Sequence, residues 1–312
     1  MKKLLLLVFL FASVSQIYAQ DNLDKMLDDI DSKKTSVEYI KAAFKSTRVI
    51  NLQSLEQKAP GALDLRISHR FGPISSGGYN LYGLDYATMR IGFEYGVSKF
   101  MTAGIGRSTY QKTVDAHTKI SLLRQRKGTV VFADNPNFKL VLPSFSVLYY
   151  GNISMNGLKW QDTLRPNYFY SRLTFVNQLI IGRKVNESFS FQVSPTLVHR
   201  NLVPNEADNN NQFAIGGAGR MKITKRVALT GEYIYRVPPR TKTNLFTDYT
   251  NSLSLGLDIE TGGHVFQLQM SNSLPMFDSG FITETNEKWL KRGIHFGFSI
   301  TRDFTAKNNN RK

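Results

Sequence analysis

The chain reads Gly-Ile-His-Phe-Gly-Phe-Ser-Ile-Thr-Arg-Asp-Phe over residues 293–304. Successive side chains of a β-strand point to opposite faces. One face of this stretch would therefore carry the apolar residues Ile294, Phe296, Phe298, Ile300 and Phe304, and the other face would carry polar residues and glycine. An apolar last strand that ends on an aromatic residue is typical of the closing strand of an outer-membrane β-barrel.

Segments with the same alternation recur from Ala62 onward, each about ten residues long, which is the length that a tilted strand needs to cross a bilayer. They cover residues 62–71, 87–96, 100–109, 114–123, 129–150, 168–183, 189–199, 212–223, 227–236, 250–260, 264–273 and 293–304. The pattern predicts an all-β fold, a transmembrane antiparallel up-and-down barrel of about 12 strands, with ten or fourteen as alternatives. Segment 129–150 is the least regular, and it is either one bulged strand or a longer turn followed by a strand at 139–150.

The connections between these segments alternate in length. Short ones cover 97–99, 124–128, 184–188, 224–226 and 261–263; long ones cover 72–86, 151–167, 200–211, 237–249 and 274–292, with 110–113 as an exception. Membrane barrels show this asymmetry, with the short turns in the periplasm, whereas a soluble β-sandwich, the alternative that also alternates, does not require it.

The N-terminus predicts export. Lys2 and Lys3 precede an apolar run from Leu4 to Val14, and Ala19 is a suitable last residue before cleavage, so residues 1–19 are expected to be a cleaved signal peptide. The chain contains no cysteine, which excludes disulfides, a lipid anchor and thiolate metal sites. The expected location is the cell outer membrane of a Gram-negative bacterium.

The formal net charge of +16 is spread along the chain rather than gathered in a basic helix or arm. Nucleic acid is therefore not an expected partner. The expected partners are outer-membrane lipids and lipopolysaccharide, whose phosphates match the basic residues, together with the barrel-assembly machinery.

In each predicted strand, the side chains that alternate with the apolar ones would point into the barrel. Most of them are polar or charged, which predicts a polar lumen. The lumen-facing candidates are Arg66, Arg70, Arg90, Glu94, Asp115, His117, Lys119, Arg220, Lys222, Glu232, Arg236, Asp258 and His295. A slight basic excess would favour anions in an open pore. Alternatively, the opposite charges neutralise each other in a packed or narrow lumen.

Residues 20–60 do not alternate and are expected to form a periplasmic segment ahead of the barrel, which spans 61–304 and precedes a C-terminal tail at 305–312. Thr35 and Glu38 have the spacing of a capping box, which predicts a short amphipathic helix from Ser36 to Lys45 followed by an extended stretch. The segment could be a tether, a dock for a periplasmic partner, or a plug in which Arg48 and Glu56 pair with charges of the lumen.

Catalytic signatures are weak, and no catalytic residue, metal ligand or cofactor is predicted. Candidates for a hydrolase on the lipid face are Ser68 and His69, with His199 and Asn177. Ser68 and His69 are sequence neighbours, however, and neighbours on a strand point to opposite faces. The five histidines are scattered over separate segments.

Several stretches resemble a Bacteroidota family of outer-membrane β-barrels known as domain of unknown function 5777. They are Ala-Phe-Lys-Ser-Thr-Arg-Val-Ile-Asn at 43–51, Ile-Ser-His-Arg-Phe-Gly-Pro at 67–73, Tyr-Asn-Leu-Tyr-Gly-Leu-Asp at 79–85, Ile-Gly-Arg-Ser at 105–108 and Leu-Leu-Arg-Gln at 122–125. The resemblance implies an exported barrel whose N-terminal segment contacts the barrel wall, and it implies no activity, ligand or catalytic residue.

Three functions follow as hypotheses. The first is a narrow, porin-like passive channel for small polar or anionic solutes, suggested by the polar inward face. The second is a non-conducting binding or scaffold barrel with a plugged lumen. The third and least favoured is a membrane-embedded hydrolase.

Overall fold

The computed structural model describes residues 38–40, 42–127, 129–132, 135–141, 143–160, 168–203, 209–238 and 249–305. The predicted signal peptide at 1–19 and the end of the predicted tail, 306–312, lie outside these residues. The described residues fall into two units. The first contains residues 38–40 and the described residues of 125–144, and the second contains those of 42–124 and 145–305.

The second unit is a closed barrel of twelve antiparallel strands, which confirms the predicted fold and strand number. The strands are β1 Ala62–Pro73, β2 Ala87–Gly96, β3 Met101–Ser108, β4 Val114–Leu123, β5 Ser146–Met155, β6 Leu173–Lys184, β7 Phe189–Arg200, β8 Asn211–Lys222, β9 Val227–Arg236, β10 Ser252–Thr261, β11 His264–Ser271 and β12 His295–Thr305. The last strand pairs with the first, with Ile300 opposite Ile67, so the sheet has no free edge.

Alternation along each strand sets the inside and the outside of the barrel. In β7, Ser190, Gln192, Ser194 and Thr196 are buried, whereas Phe189, Phe191 and Val193 are exposed. Apolar side chains on the outer surface satisfy a hydrocarbon environment, and closure of the sheet satisfies the backbone hydrogen bonds. None of the described helices is long and apolar enough to cross a membrane.

The prediction for segment 129–150, either one bulged strand or a longer turn followed by a strand at 139–150, is wrong. The barrel strand is Ser146–Met155, and the connection that precedes it covers 124–145 instead of the short turn expected at 124–128. In the first unit, Thr129–Phe132 pairs with Asn135–Val141, and Glu38–Tyr39 pairs with Arg126–Lys127. Residues 135–137 begin the second strand of that hairpin and Pro143 follows it, so regular alternation resumes only at β5. The expected strand at 168–183 likewise starts later, at Leu173, after a short 3-10 turn at Phe169–Arg172.

The helix predicted from Ser36 to Lys45 is wrong for the residues that are described. Glu38–Tyr39 is a strand, residues 42–45 have no helical turn, and Ala42 has a φ of 54°. The amide of Phe44 donates to Oε1 of Glu56 at 3.0 Å instead of continuing a helix. Contacts distant in sequence override local helix propensity here.

Candidate functional site

Residues 46–54 form a tight turn inside the barrel, named here the lumen hairpin. Arg48 and Gln53 form an antiparallel bridge, the amide of Val49 donates to the carbonyl of Leu52, and the amide of Ser54 donates to the carbonyl of Thr47, both at 2.8 Å. Every residue of the hairpin is buried. The tip, at Ile50 and Asn51, is therefore presented to the barrel wall as a compact unit.

The carboxylate of Glu232 on β9 holds the tip of the hairpin. It accepts hydrogen bonds from three successive amides, those of Ile50 at 3.3 Å, Asn51 at 2.9 Å and Leu52 at 2.9 Å. Consecutive amides that converge on one anion form a backbone nest. This arrangement satisfies a charged group in the interior, where an unpartnered carboxylate would be costly.

Other inward side chains donate hydrogen bonds to backbone carbonyls of the hairpin and of the residues that follow it. Gln192 donates to the carbonyl of Gln53 at 2.6 Å, and Gln267 donates to the carbonyl of Val49 at 2.7 Å. The ammonium group of Lys119 donates to three carbonyls, those of Thr47, Ser54 and Glu56, at 2.9, 3.3 and 3.1 Å. The contacts come from strands on opposite sides of the barrel, so the hairpin occupies its middle.

Three inward glycines give room to apolar side chains of this segment. A Cβ atom at Gly182 would lie 2.8 Å from Leu55, one at Gly216 would lie 2.9 Å from Leu52, and one at Gly256 would lie 3.1 Å from Ile50. A larger residue would have to displace Leu52 or Ile50, which are buried, or Leu55, which is partly buried, and at Gly182 it would also meet the carbonyl oxygen of Phe191. The barrel wall is thus shaped to fit the segment that lies against it.

A second element enters the lumen from the opposite end. The connection between β11 and β12 contains helix α1, Asp278–Thr283, in which every residue is buried. The guanidinium group of Arg48 donates to the carboxylate of Asp278 at 2.9 Å, and the hydroxyl of Tyr150 on β5 donates to the same oxygen at 2.9 Å. The side chains of Arg48 and Asp278 are 3% and 0% exposed.

The electrostatics of this contact favour the ion pair. Burial by itself would lower the pKa of Arg48, but the nearby Asp278 and Tyr150 outweigh it, and the net effect is a raised pKa. Arg48 also donates to the carbonyl of Asn51 at 2.7 Å. The lumen hairpin and α1 are therefore joined by a charged, fully hydrogen-bonded contact between the two ends of the barrel.

The inner wall has an apolar side as well as a charged one. Inward apolar side chains on β6 to β9 form a core with residues of the hairpin segment and of α1. The wall supplies Val176, Val198, Ala214, Ala218 and Ile234, and the two inserted elements cover them with Phe44, Val49, Leu52, Phe281 and Ile282. An aqueous lumen would leave this surface in water, which is unfavourable by about 25 cal/mol per Å² of apolar area.

Little space remains between the two inserted elements and the charged side of the wall. A void of about 10 Å³ there is lined by four arginines, Arg48, Arg66, Arg70 and Arg90, together with smaller polar groups and the apolar residues Ile50 and Met276. That volume admits about one water molecule. A larger cavity of about 760 Å³ opens at the long-connection end of the barrel, above α1; its basic lining residues are Lys112, Lys159, Arg172 and Arg200.

The family model for the membrane-bound β-barrel domain DUF5777 matches residues 44–304. The chain belongs to this family. The match begins at Phe44, before the first barrel strand at Ala62, so the lumen hairpin lies within the matched DUF5777 domain.

Solved structures similar to this DUF5777 barrel include two porins and a channel. The NanC porin has 8% sequence identity and a TM-score of 0.47, with 78% of this chain and 100% of that chain covered. The KdgM porin has 8% identity and a TM-score of 0.43, with 78% and 99% covered. The CymD monoaromatic hydrocarbon channel has 8% identity and a TM-score of 0.38, with 80% and 90% covered. No curated protein matches the sequence.

The thirteen residues proposed from the sequence to face the lumen of the DUF5777 barrel all lie on its strands. Lys222 is partly exposed, and the other side chains are buried: Arg66, Arg70, Arg90, Glu94, Asp115, His117, Lys119, Arg220, Glu232, Arg236, Asp258 and His295. Some of these residues come together in pairs. Arg90 binds Asp115 at 2.6 Å, and Nε2 of His117 lies 3.6 Å from Glu94.

Other members of the set bind different partners. Arg220 lies between two carboxylates of β10, at 3.6 Å from Asp258 and 2.7 Å from Glu260. Nδ1 of His295 lies 2.8 Å from the carbonyl oxygen of Phe71. Arg70 donates to Oδ1 of Asn51 at 2.9 Å, which places the wall and the hairpin in direct contact.

The plug hypothesis assigned Arg48 and Glu56 to lumen charges, and the contacts differ from that expectation. Arg48 binds Asp278 of α1 rather than a strand carboxylate, and Glu56 accepts a hydrogen bond from Phe44 of its own segment. Asp278 is not among the residues predicted to face the lumen, because residues 274–292 are predicted to form a long outer loop. Phe277, Phe281 and Ile282 there have helical spacing, and this was a usable signal of burial.

No cluster of three or more potential metal ligands occurs among the described residues. The neighbours considered for hydrolysis are separated by the barrel wall. Ser68 accepts a hydrogen bond from Ser299 inside at 2.8 Å, whereas the ring of His69 stacks on Phe298 with centroids 5.0 Å apart.

Proposed function

We propose that this protein is an outer-membrane barrel with a resident plug, which binds ligands at its outer mouth and does not conduct at rest. The observation that carries this proposal is the apolar inner wall of β6–β9, covered by the hairpin segment and α1. A barrel built to hold water needs no such surface. The family match to a membrane-bound barrel and the predicted signal peptide support the location.

The fit of the hairpin to the wall supports a hairpin that stays in the lumen rather than one that enters it transiently. The barrel wall carries glycines where the hairpin segment contacts it, and it carries Glu232 opposite the tip of the hairpin. These wall residues leave room for the segment and bind its amides. Displacing the hairpin would leave Glu232 without three amide donors. That loss favours the occupied state.

The cavity at the long-connection end would receive the ligand. Its lining combines basic side chains, among them Lys112 and Lys159, with the aromatic rings of Trp160, Tyr249 and Phe277. Such a lining suits a small anionic solute that also has an apolar face. Glu284 at this site already binds Arg200 at 2.7 Å, so its negative charge is compensated.

Conductance across a planar bilayer tests this function. We expect purified wild-type protein to give no steady current, and a variant in which 46–54 is replaced by a glycine-serine linker of equal length to conduct. A steady current from the wild-type protein would overturn the proposal.

A gated anion channel is the second candidate, favoured by the charged side of the lumen wall. Arg66, Arg70 and Arg90 lie together around the central void, and a ring of basic side chains selects anions when water reaches it. Under this candidate, a ligand at the outer cavity would release α1. Current that appears only after addition of an anionic solute would support the gated channel over the resident plug.

A further inference from the structure

Two rows of outward side chains cross the neighbouring strands β2 to β5. The first row, in the order of strand pairing, consists of Phe93, Ile105, Ala116 and Ile153. The second row, one step closer to the long connections, consists of Ile91, Arg107, Val114 and Met155. Both rows belong to the surface that faces the membrane.

These rows line a groove of about 550 Å³, which Phe169 and Leu173 bound on one side. Ala116 lies between the larger side chains of Ile105 and Ile153, so it forms a low floor between two walls. Asp115 and Ser154 also border the groove, but their side chains are buried on the inner face. The outward lining is therefore apolar with one exception.

Arg107 is that exception. Its side chain is exposed, and the guanidinium group makes no hydrogen bond or ion pair with any other residue in the described part of the chain. It is the penultimate residue of β3, at the end nearer the long connections. A charged side chain on the membrane-facing surface is tolerated near the headgroup layer and unfavourable at the midplane. Its position and its lack of a partner match a phosphate of the headgroup layer.

We propose that this groove binds an anionic lipid of the surrounding membrane. The phosphate would accept hydrogen bonds from Arg107, and one acyl chain would lie over Ala116 between Ile105 and Ile153. Charge complementarity at the rim and an apolar floor below it define the occupant as an amphiphile with an anionic headgroup. The site is separate from the lumen and does not depend on the function proposed above.

Lipid counting by native mass spectrometry tests the proposal. The full mature chain, delipidated in detergent, is titrated with phosphatidylglycerol and, in a parallel series, with zwitterionic phosphatidylcholine. We expect wild-type protein to retain phosphatidylglycerol preferentially, and Arg107→Gln to weaken this binding about fivefold, the usual contribution of one basic residue at a lipid surface. The matched control is Arg183→Gln, which removes an exposed arginine of β6 at the other end of the barrel and should leave the binding unchanged.

A second variant, Ala116→Phe, fills the floor of the groove and keeps Arg107. We expect it to lose lipid retention while the unfolding midpoint stays at the wild-type value, because the changed side chain faces outward. Equal retention by all four proteins would overturn the proposal. A change from dimer to monomer in Ala116→Phe, with unaltered lipid counts, would also overturn it, since the groove would then be a contact between copies of the chain.

Discussion

Arg48 and Asp278 meet inside the barrel at 2.9 Å, although 230 residues separate them in the chain. Arg48 belongs to the hairpin that precedes the first strand, and Asp278 begins a helix in the last long connection. The hairpin enters the lumen from the short-turn end of the barrel, and α1 enters it from the long-connection end. The contact therefore joins the two halves of the material that fills the lumen.

Removing one partner of this pair should destabilise the barrel more than removing both. Arg48→Gln or Asp278→Asn leaves an uncompensated buried charge, and we expect each to lower the free energy of unfolding by about 3–5 kcal/mol. The double variant should lose less stability than either single variant, and therefore less than the sum of the two losses. Urea unfolding followed by tryptophan fluorescence measures all four corners of this cycle, and additive losses would contradict a direct interaction.

Glu232→Gln should loosen the tip of the hairpin. The substitution keeps the shape of the side chain and removes the charge that three amides share, so we expect a loss of about 1.5–3 kcal/mol in unfolding free energy. Glu187→Gln is the matched control, because the side chain of Glu187 is 88% exposed and pairs with Lys184 across a surface turn, far from the hairpin in sequence. Equal stability of the two variants would mean that Glu232 does not hold the hairpin.

Two adjacent glycines of β8 point to opposite faces of the barrel wall, Gly216 to the lumen and Gly217 to the outside. A side chain at Gly216 would meet Leu52, whereas a Cβ atom at Gly217 has no neighbour within 4 Å. We expect Gly216→Leu to lower the melting temperature and to expose residues 42–60 to protease, and Gly217→Leu to do neither. Similar protease patterns in both variants would show that the hairpin does not lie against β8.

Glu56 predicts a pH dependence of stability. Burial raises its pKa above the ordinary value of 4.5, against the opposing effect of the amides of Phe44 and Ala43 and of Lys119 and Lys58. The folded state therefore holds this proton at pH values where the unfolded state has lost it, so the free energy of unfolding falls as the pH rises from about 4.5 through the folded pKa.

Substitution of Glu56 by glutamine isolates this effect. The difference in unfolding free energy between Glu56→Gln and the wild type should grow in favour of the variant as the pH rises from acid to neutral. Urea unfolding at a series of pH values measures that difference. A difference that is constant with pH would contradict the raised pKa of Glu56.

The barrel itself could be predicted from the sequence, because each strand carries its own two-residue period. Phe189–Arg200 is an example in which every inward residue up to Thr196 is polar and the outward ones are mostly apolar. The start predicted for the strand before it, at residue 168, is five residues too early, since Tyr168, Phe169 and Tyr170 extend the apolar composition beyond the end of the alternation. Local periodicity determines that a strand exists more reliably than it determines where the strand begins.

The contents of the lumen could not be predicted in the same way, because their contacts are distant in sequence. Asn51 binds Glu232, and Arg48 binds Asp278, and no local pattern links these positions. A signal was nevertheless present on the inward face: Val176, Val198 and Ile234 have lumen-facing parity and are apolar. In a water-filled barrel these positions would be polar, so their composition indicates an occupied interior.

The occupied lumen is tested most directly by an engineered disulfide between Ile50→Cys and Gly256→Cys in a chain that has no other cysteine. A Cβ atom at Gly256 would lie 3.1 Å from Cγ1 of Ile50, where a cysteine places its sulfur, and a disulfide can bridge this spacing. In membranes, without added ligand, the account predicts near-complete cross-linking of this pair and none between Ile50→Cys and Gly217→Cys on the outer face. Absence of the first cross-link in folded, membrane-inserted protein would contradict a hairpin resident in the lumen.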